Sequence, residues 1–301
     1  MKKVCVLLAA YNGEKYLKEQ LDSILEQKDV EVFLYVSLDL STDKSLEILQ
    51  QYSKLKNVNI MEYGKRYGSA GQNFFNLLLK VDFSQYDYVA FADQDDIWLG
   101  NKLSNSIELL LSNQASAYSG NVQAFWANGK EALIKKDYDQ TSYDYLFESA
   151  GPGCTFVMNE NLASSIKSVL AKNSSKIADL WLHDWFCYSF ARSNGYKWFI
   201  GSEPLMLYRQ HESNQVGANS GITAILERAK VVLSGDALDK VMIQASFLLQ
   251  NEKPIALIRE NSVWSFFKLL LCSFKCRRRL LDKLMFTLAL LLLTIKKLIG
   301  I

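Results

Sequence analysis

Tyr88-Val89-Ala90-Phe91-Ala92-Asp93-Gln94-Asp95-Asp96 decides the fold, because an unbroken apolar run stops at three carboxylates within four residues. Five apolar residues without alternation read as a strand buried on both faces, and the acids mark its carboxyl end. The same pattern recurs upstream. Val4–Ala10 runs apolar into Tyr11-Asn12-Gly13, and Tyr35-Val36-Ser37-Leu38 ends at Asp39. Reading outward gives strand Lys3–Ala10 and helix Glu14–Leu25, with Leu17, Leu21, Ile24 and Leu25 on one face. Then come strand Glu31–Leu38, a helix near Lys44–Tyr52, strand Val58–Met61 and a helix near Ala70–Leu79. Alternating strands and helices of this kind predict an α/β fold with a mostly parallel sheet flanked by helices. Ligands of such sheets bind beyond the carboxyl ends of the strands, so the residues there are the candidates.

The apolar run after Met1-Lys2-Lys3 is as short as a secretory signal allows and leads into a charged amphipathic stretch, so it reads as the first buried strand. Past a helix at Asn101–Leu111 the pattern is mixed: a hairpin turn at Asn128-Gly129, a loop at Gly151-Pro152-Gly153, and an aromatic-rich helix at Leu180–Arg192. Lys197–Ile200 and Pro204–Arg209 read as late strands. From about Gly221 the signal is helical. A boundary near 215–220 therefore predicts a catalytic domain over 1–217 and a helical C-terminal extension over 218–301.

Composition narrows the function. The 301 residues are 49% hydrophobic with three prolines, which suits one full core plus an extension. The five cysteines are scattered without a Cys-x-x-Cys pair, which predicts reduced thiols in a cytoplasmic setting and no zinc site. Net charge is +2, but Lys268–Lys297 holds eight basic residues against Asp282 alone. Without that segment the body is about −5, which is no footprint for nucleic acid.

The acids at the strand ends allow two readings. Asp93, Asp95 and Asp96 would repel one another in a crevice unless a cation relieves them. Mg²⁺ or Mn²⁺ prefers such oxygens and shares its shell with substrate phosphates. The same residues would also suit a solvated turn capping the next helix. Asp39 could likewise accept the N3–H of a pyrimidine or simply cap the helix after Asp39-Leu40-Ser41-Thr42-Asp43. Neither a P-loop nor a G-x-G-x-x-G motif is present.

Taken together, Leu8–Gly13, Asp39–Asp43, Asp93–Asp96, His183-Asp184-Trp185 and Tyr208–His211 resemble glycosyltransferase family 2, from about Val4 to Gly217. That family has the Rossmann-like GT-A fold and inverts the sugar it transfers from a nucleotide diphosphate. The late motif, with Asn214 and Gly217, is most similar to bacterial rhamnosyltransferase-type members. The resemblance implies donor contacts from Ala10, Tyr11, Asn12, Asp39, Gly68, Asn73, Asp93 and Gln94. Leu38 and Leu40 depart from the usual Asp and Gly of that motif. It also implies phosphate contacts from Lys65 and Arg66, and a Mg²⁺ or Mn²⁺ site at Asp95 and His211. Asp184 takes the place of the catalytic base, and Asp96, Gly153, Cys154, His183, Trp185 and Arg209 lie on the acceptor side or support the site. The implied donor is dTDP-rhamnose, or a UDP-hexose, and the acceptor is a glycan or polyprenyl-linked hydroxyl in bacterial surface polysaccharide synthesis.

The chemistry agrees with the residue types. Single displacement needs one carboxylate to take the acceptor's proton, a role for Asp184, although an exposed helical Asp needs no such role. Trp181 and Trp185 suit either a sugar face or the core. Two rivals stand against an active transferase: a non-catalytic scaffold of a glycosyltransferase complex, and a nucleotidyltransferase. The second usually has a Gly-rich basic loop where this chain has Tyr11-Asn12-Gly13-Glu14. In the tail, Leu284–Ile295 carries no charge but would span only about 18 Å as a helix, short of a roughly 30 Å hydrocarbon core. Its basic flanks predict a peripheral helix on an anionic membrane at the inner face of the cell membrane. Packing on the body or on a second copy in a homo-oligomer is the other reading.

Overall fold

A computed structural model describes residues 1–211 and 236–299. Four strands are parallel neighbours in the order β3-β2-β1-β4: β1 (Lys2–Ala10), β2 (Val30–Leu38), β3 (Val58–Ile60) and β4 (Tyr88–Ala92). The helices between them are α1 (Leu17–Leu25), α2 (Ser45–Tyr52) and α3 (Ala70–Lys80). Val4–Ala10 and all of β4 are buried, because helices cover both faces of the sheet and leave no room for a polar alternation. The chain winds outward from β1 to β3, then returns to place β4 on the other side of β1. That reversal opens a crevice at the carboxyl ends of β1 and β4, where Tyr11 and Asp93 begin their loops.

The sheet continues through β6 (Ala117–Gly120), β9 (Val157–Asn159) and β10 (Trp198–Gly201), in the order β10-β6-β9-β4. Only β9 runs antiparallel to its neighbours. A second sheet joins β5 (Ile97–Trp98), β11 (Met206–Gln210), β7 (Val122–Trp126) and β8 (Glu131–Ile134) in that order. Asn128 and Gly129 turn the β7–β8 hairpin, with Gly129 at φ +81°. Further helices are α4 (Lys102–Ser112), α5 (Glu160–Lys172) and α6 (His183–Ser193). The aromatic helix expected from Leu180 starts three residues later, at His183.

The chain divides into two compact units, Met1–Asp137 with Ala150–Gly217, and Tyr138–Ser149 with Ala218–Ile301. The expected 217/218 division and the motif residues Asn214 and Gly217 lie outside the described residues. The second unit contains α7 (Asp236–Phe247), α8 (Lys253–Glu260), α9 (Val263–Leu270) and α10 (Leu280–Leu298). Ser262 and Ser265 form a reciprocal capping box that starts α9.

Tyr138–Ser149 belongs with these helices because Arg278 holds it there. The guanidinium lies 3.7 Å from Asp144 Oδ2 and 3.6 Å from Glu148 Oε1, and its Nη2 donates to the Ser149 carbonyl at 2.5 Å. The Arg278 backbone N–H donates to Glu148 Oε1 at 2.7 Å. Arg278 is 6% exposed, so one of the eight basic residues counted over Lys268–Lys297 is not a surface charge. A buried acid left without its cation is costly. Arg278→Ala should therefore destabilise the protein by about 3–5 kcal/mol, read as a lower urea midpoint.

Candidate active site

The loops after β1 and β2 are zipped together by side chains. Asn12 adopts φ +45°, its N–H donates to Ser41 Oγ at 3.0 Å, and its Oδ1 accepts from the Thr42 N–H at 2.8 Å. The Gly13 N–H donates to Ser45 Oγ at 2.8 Å. Glu14 and Asp43 each accept a backbone N–H from the other's loop, Glu14 from Lys44 and Asp43 from Glu14 itself, both at 2.9 Å. Sequence reasoning gave the side chains of Glu14, Asp43 and Ser45 no role in the site because polar residues in adjacent loops carry no periodic signal.

Asp39 is buried at the end of β2. Its Oδ1 accepts from the N–H groups of Leu40 and Tyr67, each at 2.8 Å, and its Oδ2 from that of Gly68 at 2.9 Å. This carboxylate therefore holds the Tyr67–Gly68 turn, where Gly68 takes φ +83°, a conformation costly for any side chain. Lys65 and Arg66 stand exposed on the same loop. Ala10 is buried, and its carbonyl accepts the Asp39 N–H at 2.8 Å. Asn73 is 2% exposed and its amide donates to the Ser37 carbonyl at 2.9 Å, which ties α3 to the end of β2 beneath the crevice. Gln94 also works within the protein: its Oε1 accepts the Tyr11 N–H at 2.8 Å and its Nε2 donates to the Tyr11 carbonyl at 2.9 Å.

The acidic turn is latched by β11. Arg209 Nε donates to the Asp95 carbonyl at 2.8 Å, and the Arg209 backbone N–H to Asp96 Oδ1 at 3.1 Å. Its guanidinium pairs with Glu19 and lies between the rings of Tyr16 and Phe125, 4.3 and 4.6 Å from their centroids. His211 Nε2 is 2.7 Å from Asp95 Oδ2, so two residues 116 apart in sequence meet at one point. Ligand atoms of Asp93, Asp96 and Cys154 lie within 4.8 Å of one another.

Below that cluster sits Lys102, which sequence reasoning treated as a helix start. It is 1% exposed, donates to the Cys154 carbonyl at 2.7 Å, and lies 3.1 Å from the centroid of the Trp98 ring. Its only sequence signal was its place beside the inward stripe of Leu103, Ile107 and Leu110. Burial drives the titrations here. It pushes the Asp93 carboxyl up to about 7, with the charges of Asp95 and Asp184 adding to the effect. Asp96 rises well above the usual carboxylate range, from burial and then the charges of Asp95 and Asp93. Burial pulls the Lys102 ammonium down to about 7 against the pull of Asp96 and Asp93. Such a group of acids has more proton affinity than ordinary carboxylates and correspondingly gains from a cation.

The acceptor-side segments pack closely. A Cβ on Gly153 would stand 2.6 Å from His183 Nε2 and 3.2 Å from Asp184 Cβ, so only glycine fits. His183 is buried, stacks on Phe74 at 3.9 Å, and among the described residues has no hydrogen-bond partner on either ring nitrogen. Burial lowers its pKa to about 3, which keeps the imidazole neutral. Asp184 is half-buried in the first turn of α6, and its Oδ1 accepts the Trp185 N–H at 2.7 Å. Cys154 and Trp185 are buried, which leaves neither free to meet an acceptor, whereas Trp181 is about half exposed.

Glycosyl transferase family 2 is the family whose sequence profile this chain matches, over residues 5–162. The chain is 46% identical over 227 residues to the dTDP-rhamnosyl transferase RfbG of Shigella flexneri, covering 75% of this chain and 78% of that protein. It is 30% identical over 164 residues to the UDP-Glc:alpha-D-GlcNAc-diphosphoundecaprenol beta-1,3-glucosyltransferase WfgD of Escherichia coli, covering 53% and 61%. The fold is similar to S. aureus TarS 1-349 in complex with UDP-GlcNAc, with TM-score 0.54 and 16% identity over 99% of this chain and 92% of that one. The mostly parallel sheet, its covering helices and the motifs at its strand ends agree with these matches. The chain belongs to glycosyl transferase family 2 and is a glycosyltransferase.

Proposed function

We propose that the protein transfers rhamnose from dTDP-rhamnose, with inversion, to a hydroxyl of a glycan or polyprenyl-linked acceptor in bacterial surface polysaccharide synthesis. The donor assignment draws on the 46%-identical relative, and the work would take place at the inner face of the cell membrane. The observation that carries the site assignment is convergence. Asp93 and Asp95 after β4, Asp184 on α6 and His211 after β11 come from distant segments to one crevice at the sheet's reversal.

In this reading the acceptor hydroxyl attacks the anomeric carbon, the bond from that carbon to the diphosphate breaks, and the hydroxyl proton passes to Asp184. Asp39 reads the base. A carboxylate has about four lone-pair positions, and among the described residues Oδ2 accepts only the Gly68 N–H, which leaves a position for the pyrimidine N3–H. The donor set suits Mg²⁺ or Mn²⁺: hard carboxylate oxygens, one imidazole, and buried acids whose protons a cation would displace. Asp95 and His211 would hold the ion, with Asp93 beside it as a ribose contact. Bound there, the ion supplies positive charge to the departing diphosphate.

Protons and metal should compete for this site. Asp93 holds its proton up to about pH 7 in the folded chain against an ordinary value of 3.8. Its contribution to stability is therefore fully present below pH 3.8 and withdrawn as pH rises toward 7. A cation relieves that loss, so the gain in Tm from Mn²⁺ should be larger near pH 8 than near pH 5.5. Equal gains at both would count against a carboxylate site.

The donor is tested by thermal shift with dTDP-rhamnose, UDP-glucose and GDP-mannose, each with Mn²⁺. A donor at a hundred times its Kd should add about 2.7 kcal/mol of stability. Response to dTDP-rhamnose above the others supports the assignment, and a stronger response to UDP-glucose replaces it.

A further inference from the structure

Helix α10 has more apolar surface than a helix that packs only on its own protein needs, because its outward side is apolar as well as its inward one. A soluble surface helix turns its apolar stripe inward. Here Leu281, Leu284, Leu288, Leu291, Ile295 and Leu298 are exposed. At 100° per residue they share one sector of roughly 100° that runs the helix's full length of about 28 Å. The inward side is apolar too, with Leu290 and Leu293 buried beside Thr294, while Thr287 donates to Ser273 Oγ at 2.7 Å. Among the described residues nothing covers the leucine face. On α9 the rings of Trp264 and Phe267 are also exposed, and they stack on each other at 5.5 Å and 6°.

Charge selects the occupant. Lys268, Lys275, Arg279 and Lys296 are exposed on the same helical unit, and Lys296 flanks the apolar sector. The one acid between Lys268 and Lys297 is Asp282. Pairing two copies of this face would bring like charges together, whereas an anionic bilayer attracts them all. No helix among the described residues is long and apolar enough to cross a membrane. We propose that the outward face of α10, with the Trp264–Phe267 pair, is a docking surface that lies in the interface of an anionic lipid bilayer. This deepens the membrane location given above by naming the surface. Arg278, locked on Asp144 and Glu148, takes no part.

The test uses the full chain and vesicles of phosphatidylcholine with or without one-third phosphatidylglycerol. Co-sedimentation at low and high salt is run beside donor binding on the same samples, so failure of docking and failure of the transferase reading are told apart. The expected result is binding to the anionic vesicles that weakens with salt, and quenching of Trp264 by brominated lipid that is lost in Trp264→Phe. Leu284→Gln with Leu288→Gln and Leu291→Gln should weaken vesicle binding about tenfold or more, since three exposed apolar side chains leave the lipid. These positions are exposed, so helix content by circular dichroism and donor affinity should stay unchanged. Lys268→Gln with Lys275→Gln and Lys296→Gln should flatten the salt dependence. Absence of vesicle binding overturns the proposal. So does a wild-type dimer that the leucine variant turns into monomer without any lipid binding, because the occupant is then a second copy.

Discussion

Replacing Asp184 with Asn should lower turnover about 10²-fold or more while leaving donor affinity near that of the native protein. Asn keeps the shape and still accepts a hydrogen bond from the Trp185 N–H, so the first turn of α6 stays in place. What it loses is the capacity to take a proton. Rapid-quench turnover and donor titration on the same preparation separate the two effects. Unchanged turnover moves the base elsewhere, and joint loss of donor binding makes Asp184 a binding residue.

The other large effect is expected from Asp95→Ala. Asp95 meets His211 through its side chain and Arg209 through its carbonyl, so the substitution removes the carboxylate and keeps the backbone latch. Without that carboxylate a diphosphate meets Asp93 and Asp96 with less cation to offset them. Metal-dependent donor binding should fall to background and transfer should be lost, as it should in native protein treated with EDTA. Calorimetric titration of Mn²⁺ in the presence of donor provides the reading. Undiminished transfer in EDTA would remove the metal from the account.

The parallel half of the sheet was legible because burial on both faces writes itself into local sequence. Val4–Ala10 and Tyr88–Ala92 are continuous apolar runs, and the structure places strands there. The acids at their ends were legible for the same reason, as an abrupt change of residue type. Pairings between distant segments were not. Nothing local announces that β9 enters the sheet antiparallel, or that β11 joins β5 and β7 in a second sheet. Lys102 was hidden because a lysine at the start of a helix is normally solvated, and only the fold shows it beneath Asp93 and Asp96. Arg278 was counted with the basic flanks because a run of three arginines gives charge but not direction. Its partners Asp144 and Glu148 lie about 130 residues upstream.

Site residues divided along the same line. Asp95 and His211 meet at 2.7 Å, a convergence that only the motif resemblance anticipated. Asn73, Gln94, His183 and Cys154 are implied by the same resemblance, yet each is held by protein atoms or by packing. Motif spacing marks which residues surround a crevice. It does not distinguish those that face it from those that hold its walls.

Inverting rhamnosyl transfer is tested by incubating the purified protein with dTDP-rhamnose, Mn²⁺ and a glycan acceptor, and following product by NMR. One dTDP should be released for each new glycosidic bond, with the anomeric configuration opposite to that of the donor. Release of dTDP without a new bond, or a bond that retains the donor's configuration, would contradict it.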